Sequence, residues 1–145
     1  MLKLNKKEII MSNITNNLKK SIYDCLSSQS NTPFTELMGI FTYVDKNQAF
    51  PYVFISVENM EDNSTFSKSI YTYSVSIEIF DKSLNTNFVM SVSEEIKNLF
   101  KMLSNFTSTD FSIVDVLFKE NKITMENNNT IQKSRILFDF IISVN

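Results

Sequence analysis

The side chains able to do chemistry are few in kind. The sequence has no histidine and a single cysteine, Cys25. Without imidazole there is no Ser-His-Asp or Cys-His nucleophile pair, and no general base that titrates near neutral pH. One thiol leaves no zinc ligand set and cannot close an internal disulfide, as suits a reducing compartment. Cys25 falls on an apolar helical stripe and reads as a small buried hydrophobe. Gly39 is the only glycine, so neither a Gly-rich phosphate loop nor a dinucleotide fingerprint is present. What remains is adjacent carboxylates, Glu61-Asp62 and Glu94-Glu95. Neighbouring side chains on a helix diverge by about 100° and do not form an acid/base pair. Glu94 and Glu95 read instead as first-turn charges complementing the helix dipole. The sequence predicts a protein that is not an enzyme, with no catalytic, metal-binding or cofactor-binding residues and no cofactor.

The chain of 145 residues carries 14 Lys+Arg against 16 Asp+Glu, a formal net charge of −2, and is 43% hydrophobic. That length suits one domain with a core of its own. The charge balance argues against a protein that binds nucleic acid by neutralising phosphates. A single-strand nucleic-acid-binding module is the alternative from another functional class, with Tyr71 and Tyr73, or Tyr52 and Phe54, as stacking aromatics. Each pair shares a strand face, but aliphatic residues continue the Tyr71 and Tyr73 face, which favours core packing. Gly, Ala, Arg and Pro, all encoded by GC-rich codons, number only Gly39, Ala49, Arg135, Pro33 and Pro51. An AT-rich genome explains that scarcity, and the Asn-x-Ser/Thr sequons at Asn13, Asn63, Asn105 and Asn128 with it. No apolar run approaches the roughly 18 residues of a membrane helix, and no signal-peptide pattern is present.

The elements that must position these residues read as follows. Met11-Ser12 offers a second start, so residues 1–12 are expected to be a mobile extension and 13–145 a single domain. Ile14, Leu18, Ile22 and Leu26, with Cys25, predict a helix capped by Ser12 or Asn13 and ended before Pro33. Phe34–Met38 adds a turn. Ile40–Val44 and Tyr52–Val57 read as a hairpin about the turn Asp45–Gln48. The polar stretch Glu58–Ser69 reads as an extended loop. Ser69–Phe80 alternates, with Tyr71, Tyr73, Val75, Ile77 and Ile79 on one face. Leu84, Phe88, Val92, Ile96, Leu99, Phe100 and Leu103 predict a second helix, capped by Ser83 or Asn85. Phe111–Phe118 and Ser134–Val144 close the chain as a hairpin, with Asn121–Asn129 at its tip. The order α-β-β-β-α-β-β implies an α+β fold: a mostly antiparallel sheet with two helices packed on one face.

Local sequences within this order resemble the tail-completion or tail-terminator family of long-tailed bacteriophages, which has relatives in gene-transfer and prophage tails. Phe50-Pro51-Tyr52-Val53 resembles the family's strand opening, and Ile79-Phe80-Asp81 the end of its alternating strand. A helix of the type Ser93-Glu94-Glu95-Ile96-Lys97-Asn98-Leu99-Phe100 and two closing strands complete the resemblance, which spans Ile14 to Val144. It implies a non-enzymatic virion protein that forms a homo-oligomeric ring, commonly a hexamer. The ring caps the tail tube protein and joins it to the head connector. A head–tail adaptor ring is the alternative within this class. DNA would pass the lumen without specific binding, no membrane would be involved, and the protein would move from host cytoplasm into the head-proximal end of the tail. On this resemblance the Glu58–Ser69 loop, with Glu58, Glu61 and Asp62, is expected to face the tube or lumen, where carboxylates repel the DNA backbone.

Overall fold

The computed structural model describes residues 5–43, 47–82 and 85–144. Helix α1 (Lys6–Ser27) buries Ile14, Leu18, Ile22, Cys25 and Leu26. It begins well before the expected Ser12 or Asn13 cap, and its first turns leave Ile9 and Ile10 exposed. No core contact marks that start in the sequence. Its last carbonyls are satisfied locally: Ser28 Oγ and Gln29 Nε2 each donate to the Cys25 carbonyl at 2.9 Å, which closes the end where orphan acceptors would otherwise remain. A 3-10 turn at Phe34–Glu36 follows and buries Phe34.

Five strands form one sheet in the order β1-β2-β3-β5-β4. They are β1 (Gly39–Phe41), β2 (Tyr52–Asp62), β3 (Ser69–Asp81), β4 (Phe111–Glu126) and β5 (Ile131–Val144). All neighbours are antiparallel except β1 and β2, which pair parallel with Gly39 opposite Tyr52. The expected hairpin is therefore not formed. Segment 42–51 carries the chain back to the start of β1, where the Met38 N–H donates to the Pro51 carbonyl at 2.7 Å. Val44, the end of the expected strand, and Asp45 and Lys46 of the expected turn lie outside the described residues.

The expected long loop is also replaced by sheet. β2 runs on to Asp62, β3 starts at Ser69, and only 63–68 form the tip. Main-chain pairing holds this stretch of β2 although, Met60 apart, its side chains after Val57 are polar on both faces. Helix α2 (Asn87–Leu99) buries Val89, Val92, Ser93 and Ile96. Ser83 and Leu84 lie outside the described residues. Thr86 stands at the N-cap without a side-chain cap bond, while Asn85 Oδ1 accepts from the Asn87 N–H at 2.9 Å. The first turn of α2 holds no acid, so Glu94 and Glu95 do not complement its dipole; Glu94 pairs with Lys97 one turn on, at 2.5 Å. Leu103 lies beyond α2 in a 3-10 turn. β4 continues to Glu126, so the expected tip at Asn121–Asn129 shrinks to a turn whose Asn127, Asn128 and Asn129 all have positive φ. Asparagine tolerates that left-handed conformation better than most residues.

Both helices pack on the same face of the sheet. Val53 and Ile55 of β2, Tyr71 to Ile79 at alternate positions of β3, and Ile136, Phe138, Phe140 and Ile142 of β5 join the helix stripes in one core. Phe100 sits at its centre, 4.7 Å from Phe138, 5.1 Å from Phe106 and 5.6 Å from Phe140, ring centre to ring centre. Tyr71 and Tyr73 are buried beneath the helices and offer no stacking surface. A buried polar network ties three elements together. Ser93 Oγ and Ser134 Oγ lie 2.6 Å apart, Ser93 donates to the Val89 carbonyl, and Asn121 Nδ2 donates to Ser134 Oγ at 2.8 Å and to the Arg135 carbonyl at 3.1 Å.

Candidate assembly surface

Among the described residues no helix covers the opposite face of the sheet, which gathers most of their ion pairs. Period-two alternation puts Glu78 of β3 opposite Arg135 of β5, and Arg135 in turn opposite Lys122 of β4. Arg135 Nη2 lies 2.8 Å from both carboxylate oxygens of Glu58, and Nη1 lies 3.8 Å from Glu120. The hydrogen bond it donates to Glu58, with the field of Glu58, Glu78 and Glu120, holds the guanidinium pKa above its ordinary value against the opposing effect of burial. Lys133 sits between Glu126 at 2.8 Å and Glu78 at 3.3 Å. Its pKa is also raised, first by the hydrogen bond it donates to Glu126. Lys119 reaches Asp139 at 3.6 Å. Among these groups carboxylates outnumber cations, so the face carries a net negative field.

One end of this face is aromatic. Tyr52 stacks on Phe80 at 4.8 Å, with Phe50 at 5.3 Å and Phe41 at 6.2 Å, and Lys82 Nζ lies 4.9 Å above the Phe50 ring. Tyr52 is buried by these neighbours, and desolvation raises its phenol pKa, aided by Glu78 and Glu126. Phe50, Pro51, Tyr52 and Val53 thus do packing work on two sides: Tyr52 in the aromatic cluster, Val53 in the main core.

Of the acids singled out in the sequence, Glu58 and Glu61 lie on this face, and Asp62 is opposite Tyr71 on the helix side. All three belong to β2 rather than to a loop. A bulge between Val57 and Asn59 lets Glu58 turn toward Arg135. The structure adds Arg135, Lys133, Glu78, Glu120 and Glu126, which sequence reading did not select. The available signal was the alternation of β5, which sets Lys133, Arg135 and Asp139 on one side of a strand whose other side is apolar. Elsewhere the described surface includes a cleft of about 330 Å³ lined by Asn17, Ser21, Asp24 and 107–110, where the Asn17 amide donates to Asp110. Among the described residues no group of three His, Cys, Asp or Glu is placed to hold a metal, and no helix is long and apolar enough to cross a membrane.

The architecture is an α+β sandwich of one five-stranded sheet and one helical layer. The same fold occurs in a chain of the solved structure described as "Virion of native gene transfer agent (GTA) particle", with a TM-score of 0.75 and 12% sequence identity over 87% of this chain and 94% of that one. No family model matches the chain, and no curated protein matches its sequence.

Proposed function

We propose that this chain is a structural, non-enzymatic protein of a phage-like particle, and specifically a tail-completion or terminator protein that forms a ring. The observation that carries the reading is the fold shared with nearly the full length of a gene transfer agent virion chain at a TM-score of 0.75. The resemblance of Phe50-Pro51-Tyr52-Val53 and the element order to the tail-terminator family gives the finer assignment. Six copies would cap the tail tube and meet the head connector, and residues 13–145 would form the assembling domain. The helix-free face, with Glu58 and Glu61, would line the lumen, where excess carboxylates keep passing DNA from sticking.

Light scattering and negative-stain imaging of the purified protein test the reading. The expected mass is about sixfold above the 16.8 kDa of one chain, in closed rings with a central hole. Strict monomers across the accessible concentration range overturn the ring. A tight, salt-sensitive affinity for single-stranded nucleic acid would instead favour a binding module.

A further inference from the structure

We infer that copies of this chain join edge to edge, the bare edge of β2 in one copy pairing antiparallel with β4 in the next. The inference rests on the ring reading and names the surfaces that would make it. β4 is one outer strand of the sheet. At the other side β1 pairs only with Tyr52–Phe54, so Ile55–Glu61 presents unpaired main-chain groups among the described residues. Bare edges of this length are templates for pairing with another chain. Neither edge strand contains a proline, the only ones being Pro33 and Pro51, and residues 121–126 of β4 lie clear of that strand's bulges.

The directions agree. β2, β3, β5 and β4 alternate, so a copy added by rotation about the strand direction brings β2 antiparallel to β4. The two edges differ, and such a head-to-tail contact closes into a ring when the rotation permits.

The side chains match in one register. Glu61 on β2 and Lys122 on β4 both lie on the helix-free face, opposite Thr72 and Arg135 respectively. Among the described residues neither makes an ion pair or side-chain hydrogen bond within the copy. Setting Glu61 against Lys122 places Met60 against Ile123 on the helix side, where they are 41% and 37% exposed. Charge then meets charge on one face and apolar meets apolar on the other. In this register β4 ends at Glu126 level with Val57, short of the stretch that β1 occupies. Six copies contributing four strands each at about 4.8 Å spacing give a backbone ring roughly 37 Å across before strand tilt widens it. After about 5 Å of side chain on either side, half the usual spacing between packed sheets, the hole accommodates duplex DNA.

The test uses the full chain with Cys25→Ser and the pair Met60→Cys and Ile123→Cys. Residues directly opposite across strands have Cβ atoms about 4.5–5.5 Å apart, and the closer end of that range meets the roughly 4.5 Å reach of a disulfide. Oxidation is expected to give a covalent ladder ending at the ring number, while either single-cysteine variant gives dimers at most. In parallel, Glu61→Lys or Lys122→Glu is expected to weaken each contact about fivefold, the upper end for an exposed ion pair, and the double reversal to restore it. Wild-type rings with no ladder and no response to charge reversal overturn the edge pairing and leave the ring reading standing. Wild-type protein that stays monomeric overturns both.

Discussion

Arg135 holds the centre of the helix-free face, and its removal has a cost that follows from the geometry. Nη2 is 2.8 Å from both oxygens of Glu58, which sets the centres of opposite charge roughly 4 Å apart. At that separation Coulomb attraction runs from about 1 kcal/mol in bulk water to about 4 kcal/mol near a protein surface. The side chains are 32% and 36% exposed, so solvent and side-chain entropy remove most of this, leaving a coupling of about 1 kcal/mol. Arg135→Met also leaves Glu58 and Glu120 without their cation, while Glu78 keeps Lys133, so it should cost more than the coupling, about 2 kcal/mol. Glu58→Gln should cost less, and should be nearly silent when added to Arg135→Met. The assay is a double-mutant cycle by urea unfolding. With a slope of about 2 kcal/mol/M for a domain of this size, the coupling appears as a midpoint shift of about 0.5 M. It should fall by half or more in 1 M salt, where the Debye length is about 3 Å. A coupling below about 0.3 kcal/mol at low salt refutes the reasoning, because that is the scatter of independent sites.

The core yields three further predictions. Burial pushes the Cys25 thiol from 9.0 to about 11, so native protein at pH 8 should alkylate about 100-fold more slowly than protein in urea. Since folding favours the neutral thiol, its contribution to stability is full below pH 9 and is lost as pH rises toward 11; native and unfolded alkylation rates within tenfold of each other by mass spectrometry would count against it. Ser134→Ala should cost only about 1 kcal/mol, because Ser93 keeps the Val89 carbonyl and Asn121 keeps the Arg135 carbonyl; a loss above 3 kcal/mol would mean that those second bonds do not compensate. Phe100→Ala, at the meeting point of three phenylalanine rings, should cost about 3–5 kcal/mol and lower Tm by roughly 10 °C, and a calorimetric shift under 3 °C contradicts its central place.

Legibility in the sequence tracked burial. Tyr71, Tyr73, Val75, Ile77 and Ile79 alternate cleanly because helices cover one side of β3 along most of its length. β2 loses that pattern after Val57, where Met60 is exposed and the acids face solvent, so main-chain pairing alone makes it a strand. β4 hides for another reason. Its bulges at 113/115 and 118/120 reset the phase of alternation, and an outer strand has only one neighbour to enforce a pattern. β1 is three residues long, below what periodicity can reveal, so its parallel pairing had no local signal. The start of α1 escaped because Lys6, Ile9, Ile10, Ser12 and Asn13 stay exposed. The ionic face was half legible. Alternation sets Lys133, Arg135 and Asp139 on one side, yet the bond from Arg135 to Glu58 spans 77 positions and depends on a bulge that no residue type announces.

The sheet order also dictates how the chain emerges during synthesis. β5 is the last strand to be made, yet it lies between β3 and β4, opposite the whole of β3. Until residues 131–144 leave the ribosome, β3 has one naked edge, and the aromatic and branched side chains of α2 and β3 lack Phe138 and Phe140 to rest on. At about 5–20 residues per second that interval lasts several seconds, long against the microseconds in which a hairpin forms. The β2–β3 hairpin can close early, but the core cannot, so nascent chains crowded on one message are exposed to pairing through the strand that the finished molecule hides.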